Sequence, residues 1–218
     1  MEFVSHGKSG CKIKIINKGF DFYLHKTSKT IEENPRHVKR GKKQIDFYNK
    51  NQFVNIKTPQ ITKLHEGGNN TLSYMEMKYI AGKDSLTFLR EADIESVNIF
   101  INNLLNYLDT GFNKAINNSA NQILWPYSGK YNKVESTESI RGKANQINNL
   151  QFPLKNEIMD KLYDLPTNML LQGDCHGDFT LTNMIHTKSN TFVFDFLDMF
   201  VDSPIFDLIS LRQDTYHL

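Results

Sequence analysis

The chain reads as an α+β protein of two lobes, an antiparallel sheet lobe over residues 1–81 and a mainly helical lobe over 82–218. Three observations predict this. The first 27 residues read as strands, with polar and apolar residues alternating over residues 11–16, the period of half-buried strands. From Ile94 to Phe112 the apolar residues recur at spacings of three and four, the period of an amphipathic helix. Short apolar strands then return near 170 and 192, and each runs into carboxylates.

Taken in order, Phe3-Val4 leads into Ser5 through Gly10, and Cys11-Lys12-Ile13-Lys14-Ile15-Ile16 alternates as a strand. Asn17-Lys18-Gly19 supplies turn chemistry. In the next strand Phe20, Phe22, Leu24 and Lys26 share one face, so a lysine ends an apolar face. Residues 36–50 form a helix after Pro35, with Val38, Ile45 and Tyr48 roughly on one side. Strands follow at 61–64 and 71–80, separated by Gly67-Gly68-Asn69-Asn70, and Ala81-Gly82 is the hinge. Ile94, Val97, Ile101, Leu104, Leu105 and Leu108 recur at spacings of three and four along the long helix. Weaker helices lie near 135–149 and 154–164, the second closed by Pro166. Strands return at 169–172 and 191–195.

Composition excludes several classes. A net charge of +2 over 218 residues falls short of the basic excess of nucleic-acid binders, so no nucleic-acid partner is expected. No run approaches the roughly 18 apolar residues of a membrane span, and MEFVSHGKSG lacks the basic-then-apolar order of a signal peptide. Two distant cysteines, Cys11 and Cys175, make no disulfide framework. The expectation is a cytoplasmic protein without membrane insertion. Its oligomeric state is not readable.

The chemistry concentrates in His176-Gly177-Asp178-Phe179-Thr180-Leu181-Thr182-Asn183, followed by Phe192-Val193-Phe194-Asp195-Phe196-Leu197-Asp198. Phosphoryl transfer asks for a carboxylate that orients the attacking hydroxyl and accepts its proton, and for oxygen ligands that hold Mg²⁺ against phosphates. Asp178 fits the first role; Asn183 and Asp195 fit the second.

These residues resemble the catalytic loop and metal-binding aspartate of the aminoglycoside phosphotransferase and choline kinase superfamily, which is similar in fold to protein kinases. The family pattern H-G-D-x-x-x-x-N, an apolar strand, D-F, then Asp-x-Pro and Asp-Leu is matched by Asp202-Ser203-Pro204 and Asp207-Leu208. The flow of residues 170–212 also resembles kinase-like proteins of capsule and surface-polysaccharide loci. The resemblance implies a bilobal protein-kinase-like fold, with ATP and Mg²⁺ as cofactors and a small-molecule hydroxyl acceptor as partner. Gly7-Lys8-Ser9-Gly10 sits where a nucleotide loop would, with Gly7, Ser9 and Gly10 against phosphate. Lys26 matches the lysine that contacts the α and β phosphates. Met77 would line the pocket, and the backbones of Lys78 and Ile80 would meet adenine.

Two departures stand out. The helix after the lysine strand offers Gln44 or Asp46 where the family has a glutamate for the lysine, with Glu32 and Glu33 as earlier substitutes. Family members also continue beyond Asp207-Leu208, whereas this chain stops at Leu218; either the sequence is a natural minimal form or a shortened one, or the acceptor site is built from residues 84–165. A capsule precursor or other sugar is the first acceptor to consider, then choline, ethanolamine or an aminoglycoside. Glu91, Asp93 and Glu95 would suit the cationic ones. A nucleotide-binding pseudokinase and a protein kinase or nucleotidyl transferase of the same fold are the alternatives.

Plainer readings accompany several residues. His176 is a packed residue shaping the loop, Asp207 ties down the loop backbone, Asp198 supports the site, and Cys175 is a small buried residue. Gly7–Gly10 could be an ordinary hairpin turn and Lys26 an exposed strand end. The basic run Arg36-His37-Val38-Lys39-Arg40-Gly41-Lys42-Lys43 reads as the solvated face of its helix, because aromatic interleaving is absent. Trp125 caps the helical core or lines an acceptor pocket; both stay open.

Overall fold

The structure, a computed structural model, describes residues 4–6, 10–50, 53–117, 122–124, 169–199 and 202–216. Strands β1 (Val4–His6), β2 (Lys12–Lys18), β3 (Asp21–Thr27), β5 (Ile61–His65) and β6 (Tyr74–Lys78) make a sheet in the order β1-β2-β3-β6-β5, antiparallel throughout. β2 pairs with β3 from Lys12↔Thr27 to Lys18↔Asp21. The turn is therefore Gly19-Phe20, not the Asn17-Lys18-Gly19 that the residue types indicate: ladder pairing carries Asn17 and Lys18 into the strand. β6 is shorter than the 71–80 run because Thr71 closes a tight turn with Gly68.

Helix α1 (Asn34–Lys50) packs on β5 and β6. It starts two residues before the predicted 36, with Pro35 in the first turn, where no helical donor is lost. Asn34 anchors that end. Its Oδ1 accepts from Ser28 Oγ and Ser73 N–H, each at 2.7 Å, and its Nδ2 donates to Thr71 O at 2.9 Å.

A second sheet runs β4 (Ile56–Lys57), β11 (Thr191–Val193), β10 (Met184–His186), β7 (Lys83–Asp84). β4 and β11 are parallel and the other pairs antiparallel. Gly82 runs against β10: a Cβ on it would lie 2.5 Å from His186 O and 2.5 Å from Ile185 Cγ2, so only glycine allows the chain to pass there. β7 and the short helix α2 (Ser85–Glu91) that follows are not visible in the apolar pattern. Asp84 caps α2, its carboxylate accepting from Thr87 N–H at 2.9 Å. Helix α3 (Ile94–Asn117) follows, then β8 (Gln122–Leu124), which pairs with β9 (Met169–Leu171), and α4 (Pro204–Tyr216), which packs on α3. The predicted helices at 135–149 and 154–164, and Trp125, lie outside the described residues.

The buried face of α3 takes Leu104 and Leu108 of the recurring apolar residues and adds others. Phe100, Leu104, Tyr107, Leu108 and Ala115 are buried, while Ile94, Ile101 and Leu105 are exposed. Both sets obey the helical period. The set with two large rings faces the core because it removes more apolar area from water. That core joins Phe47 of α1 to Phe53, Tyr107, Phe179, Met184, Val193 and Phe196. Tyr107 stacks on Phe179 with ring centroids 4.3 Å apart, and Phe47 meets Phe196 edge-on at 5.1 Å. Among the described residues no helix is long and apolar enough to cross a membrane.

His186 of β10 is buried between Phe88 and Phe100. Its Nε2 bonds Ser85 Oγ at 2.8 Å and its Nδ1 bonds Thr191 Oγ1 at 3.2 Å. Burial pushes its pKa down to about 4. The unfolded chain therefore takes up this proton first, and stability is lost as pH falls from about 6.5 towards about 4. His186→Gln, which keeps polar contacts without the charge, should flatten that acid limb in thermal denaturation between roughly pH 4.5 and pH 7. An unaltered slope would assign the titration elsewhere.

Candidate active site

The loop after β9 turns at Gly177, where φ is +91°. A side chain is disfavoured there twice over, since a Cβ would also lie 2.9 Å from Met199 Cγ. Asp207, in the first turn of α4, holds this loop. Its carboxylate accepts from His176 N–H, Gly177 N–H and Tyr107 Oη, each at 2.7 Å. Burial pushes its pKa up to about 6, against the pull of these three hydrogen bonds. Two turns further along α4, Asp214 accepts from Leu181 N–H at 2.6 Å. One helix thus grips the loop on both sides of Asp178.

His176 is fully buried, and both ring nitrogens are used. Nδ1 accepts from Asp178 N–H at 3.2 Å and Nε2 donates to Phe194 O at 2.9 Å. Burial lowers its pKa to about 4, so it stands as a neutral imidazole with the proton on Nε2. Its carbonyl accepts from Leu197 N–H at 3.0 Å. These two bonds bracket Asp195, the only non-glycine residue with positive φ among the described residues, at 66°. Such a backbone costs roughly 1–2 kcal/mol and persists where its surroundings over-determine it.

The predicted chemistry-bearing residues converge. Asn183 Nδ2 donates to Asp178 O at 3.0 Å and to Asp178 Oδ2 at 2.9 Å. Asn183 O accepts from Phe194 N–H at 3.1 Å, which sets the residue before Asp195 against Asn183. Lys26 Nζ meets Asp195 Oδ1 at 2.5 Å. Lys26 is buried, not an exposed strand end. Asp178 has a raised pKa, mainly from burial, with the charges of Asp195 and Asp214 adding and the Asn183 hydrogen bond opposing. Asp178 Oδ1, Asn183 Oδ1 and Asp195 Oδ2 make no hydrogen bond among the described residues. Three oxygen acceptors are therefore left for a ligand.

Lys26 and Asp195 stand at the polar end of an apolar pocket lined by Ile13, Leu24, Met75, Met77, Tyr79 and Phe194, with Lys78 and Ile80 also on its wall. The Lys78 N–H is already donated to Gln60 O at 3.0 Å, and Tyr79 N–H to Phe22 O at 3.0 Å. Lys78 thus has no backbone donor left for a base. Gly10 stands beside Lys29 and is not part of the pocket wall. Gly7 and Ser9 lie outside the described residues.

Neither α1 candidate reaches Lys26. Gln44 Nε2 donates to Pro59 O at 2.9 Å, and Asp46 lines a different cleft with Lys42, Lys43 and Lys50. The basic run is a solvated face only in part: Arg36, Lys39 and Lys42 are exposed, whereas Arg40 and Lys43 are half-buried. Positions 36, 40, 43 and 50 recur on one side of α1, and each cation meets an aspartate of the C-terminal half. Asp198 takes Arg36 Nε at 3.0 Å and Arg40 Nε at 2.7 Å; Lys43 meets Asp202 at 2.5 Å and Lys50 meets Asp174 at 2.7 Å. Burial opposes ionisation of Asp198, but the two arginines outweigh it and hold its pKa below the usual range. Lys43 also donates to Leu197 O at 2.9 Å. Cys175 is buried beside it, its thiol pushed well up by burial. Arg36, Arg40, Lys43, Tyr107 and Asp214 were not singled out as site residues. The signal for the first three was the i, i+4, i+7 spacing.

No protein-family model and no curated protein matches the chain. Solved structures do. The chain is similar to a protein provisionally named a fructosamine-3-kinase from Haemophilus somnus 129PT, with a TM-score of 0.52 and 14% identity over 97% of this chain and 77% of that one. It is similar to choline kinase LicA from Streptococcus pneumoniae, with a TM-score of 0.52 and 14% identity over 99% and 70%. It is also similar to LicA in complex with AMP, with a TM-score of 0.51 and 14% identity over 98% and 68%. The chain has the α+β kinase-like fold, with an antiparallel sheet lobe followed by helices.

Asp207→Asn turns one acceptor oxygen into a donor and leaves a buried N–H unpaired. It should cost about 2–3 kcal/mol of stability in urea unfolding, and Tyr107→Phe about 1 kcal/mol. A loss well under 1 kcal/mol for Asp207→Asn would show that water takes over its role.

Proposed function

We propose that this chain is an ATP-dependent phosphotransferase that moves the γ-phosphate to a hydroxyl of a small molecule. The observation that carries the reading is the triangle of Asp178, Asn183 and Asp195, tied to Lys26 at the polar end of an apolar pocket. The kinase-like fold of the neighbours, one of them a LicA structure with AMP, supports a nucleotide in that pocket. In this reading residues 1–81 serve as the nucleotide lobe and 82–218 carry the loop and the acceptor site.

The base would enter between Ile13, Leu24, Met77 and Phe194, apolar groups that exclude water. Lys26, on the central strand β3, would hold phosphate oxygens with its buried ammonium. Asp178 would orient the acceptor hydroxyl through Oδ1 and take its proton, with Oδ2 fixed by Asn183. Burial makes this carboxylate a stronger base than one in water. Asn183 and Asp195 would hold Mg²⁺. Their two oxygens fit a hard cation that completes its shell with phosphate and water. When bound, Mg²⁺ supplies charge neutralisation on the transferring phosphate. Sugars or capsule precursors stand first among acceptors, then choline-like alcohols and aminoglycosides, in a cytoplasmic setting.

One observation favours a second reading. Lys26 is paired to Asp195 itself, and no carboxylate of α1 reaches it. A nucleotide-binding regulatory protein without turnover would tolerate that arrangement.

Two variants separate the readings. Asp178→Asn should lower phosphoryl transfer at least about a hundredfold while ATP affinity, by calorimetric titration, stays within about twofold. Asp195→Asn should abolish the tightening of ATP binding by Mg²⁺. Transfer unchanged in Asp178→Asn removes the proton acceptor from the scheme. Magnesium-dependent ATP binding with no transfer to any acceptor of a broad hydroxyl panel favours the regulatory reading.

A further inference from the structure

The polar end of the pocket carries more positive character than the pairing of Lys26 with Asp195 provides. His37 and Arg40, three residues apart and so neighbours on one face of α1, line it beside Lys26. His37 is 5% exposed. Its Nδ1 bonds Ser73 Oγ at 2.9 Å, whereas Nε2 is buried and has no partner. Burial first, then the charges of Lys26 and Arg40, lower its pKa to about 4. The ring is therefore neutral. In the tautomer where the Ser73 hydroxyl donates to Nδ1, Nε2 is an N–H donor with no acceptor among the described residues. Buried polar groups of native proteins are rarely left so, and the ring that carries this one is among the residues lining the pocket.

Arg40 has capacity to spare as well. It bonds Asp198 through Nε at 2.7 Å, and neither terminal nitrogen makes a hydrogen bond among the described residues. Asp198 is shared with Arg36, which adds contacts at 3.0 and 3.3 Å. One carboxylate thus serves two guanidinium groups, of which Arg40 lines the pocket and Arg36 is exposed outside it. A guanidinium held through Nε presents its remaining N–H groups in a fixed fork, the geometry that phosphate oxygens match. No acidic side chain of α1 lines this pocket.

We propose that His37 and Arg40, with Lys26, form a polyphosphate-binding anion site built on α1, which grips the phosphates of the nucleotide through the chain's own donors. The proposal rests on the nucleotide reading of the pocket, and the experiment separates the two. Adenosine, ATP and inorganic tripolyphosphate are titrated calorimetrically in EDTA into wild type, Arg40→Ala, Arg40→Lys, His37→Phe and Arg36→Ala, with circular dichroism to verify folding. Arg40→Ala should weaken ATP and tripolyphosphate about tenfold or more while adenosine stays within about twofold. Arg40→Lys, which keeps helix and charge and remains informative if the alanine variant unfolds, should lose about threefold. His37→Phe should lose about fivefold on the same two ligands. Arg36→Ala, which loosens Asp198 from outside the pocket, should leave the ATP-to-adenosine ratio within about twofold. Equal losses of adenosine and ATP in Arg40→Ala would overturn the proposal, since Arg40 would then act only by positioning Asp198. So would wild-type protein that binds adenosine but neither tripolyphosphate nor ATP more tightly. Tripolyphosphate bound through Arg40 by protein that ignores adenosine would uphold the anion site and remove the nucleotide reading.

Discussion

The carboxylate of Asp207 lies where the helices and the loop meet, and the placement of the loop that carries Asp178 passes through it. It collects two consecutive backbone N–H groups and the Tyr107 hydroxyl, three donors with no other partner at that depth. Held this way, His176 can only point its ring at Phe194 O, and that bond, with its own carbonyl on Leu197 N–H, confines Asp195 to its left-handed backbone. Side-chain chemistry at Asp178 and Asp195 thus derives from a residue that faces no ligand. The burial that raises the pKa of Asp207 is the other side of the same geometry, because a solvated carboxylate would share its lone pairs with water.

Helix α1 supplies the second constraint. It belongs by sequence to the sheet lobe, yet Phe47 sits in the aromatic core of the other half, and Arg36, Arg40, Lys43 and Lys50 reach aspartates there. The exposed pair Lys50–Asp174 contributes little on its own. The pairs around Asp198 and Asp202 are more sheltered and share partners, which makes them a network. Where a kinase-like helix is expected to hold the sheet lysine through an acid, this one holds the segment after Asp195 through bases.

Much of this was legible in the residues. The alternation around β2 and β3 and the apolar strands that deliver the carboxylates follow from local periodicity, and the grouping of Asp178, Asn183 and Asp195 was readable from the needs of phosphoryl transfer and the resemblance to a kinase-like catalytic loop. The failures are equally physical. The basic run of α1 has the same composition whether it faces water or aspartates, so only its spacing carried the answer. Asp214 acts on Leu181 across 33 positions of chain, and no local pattern reports such a pair. β7 and β10 are too short to show a period, and the buried face of α3 was decided by ring area in a helix that is apolar on more than one side.

Gly82 gives the passage between the two sheets an unexpected mechanical character. A flexible joint needs clearance around it, and here the backbone lies directly against His186 O and Ile185 of β10. The crossing therefore works as a bearing seated on that strand. β10 begins at Met184, immediately after Asn183. Any rocking of the five-stranded sheet would load the strand that directly follows Asn183, and the width of the cleft and the aim of its amide oxygen would change together.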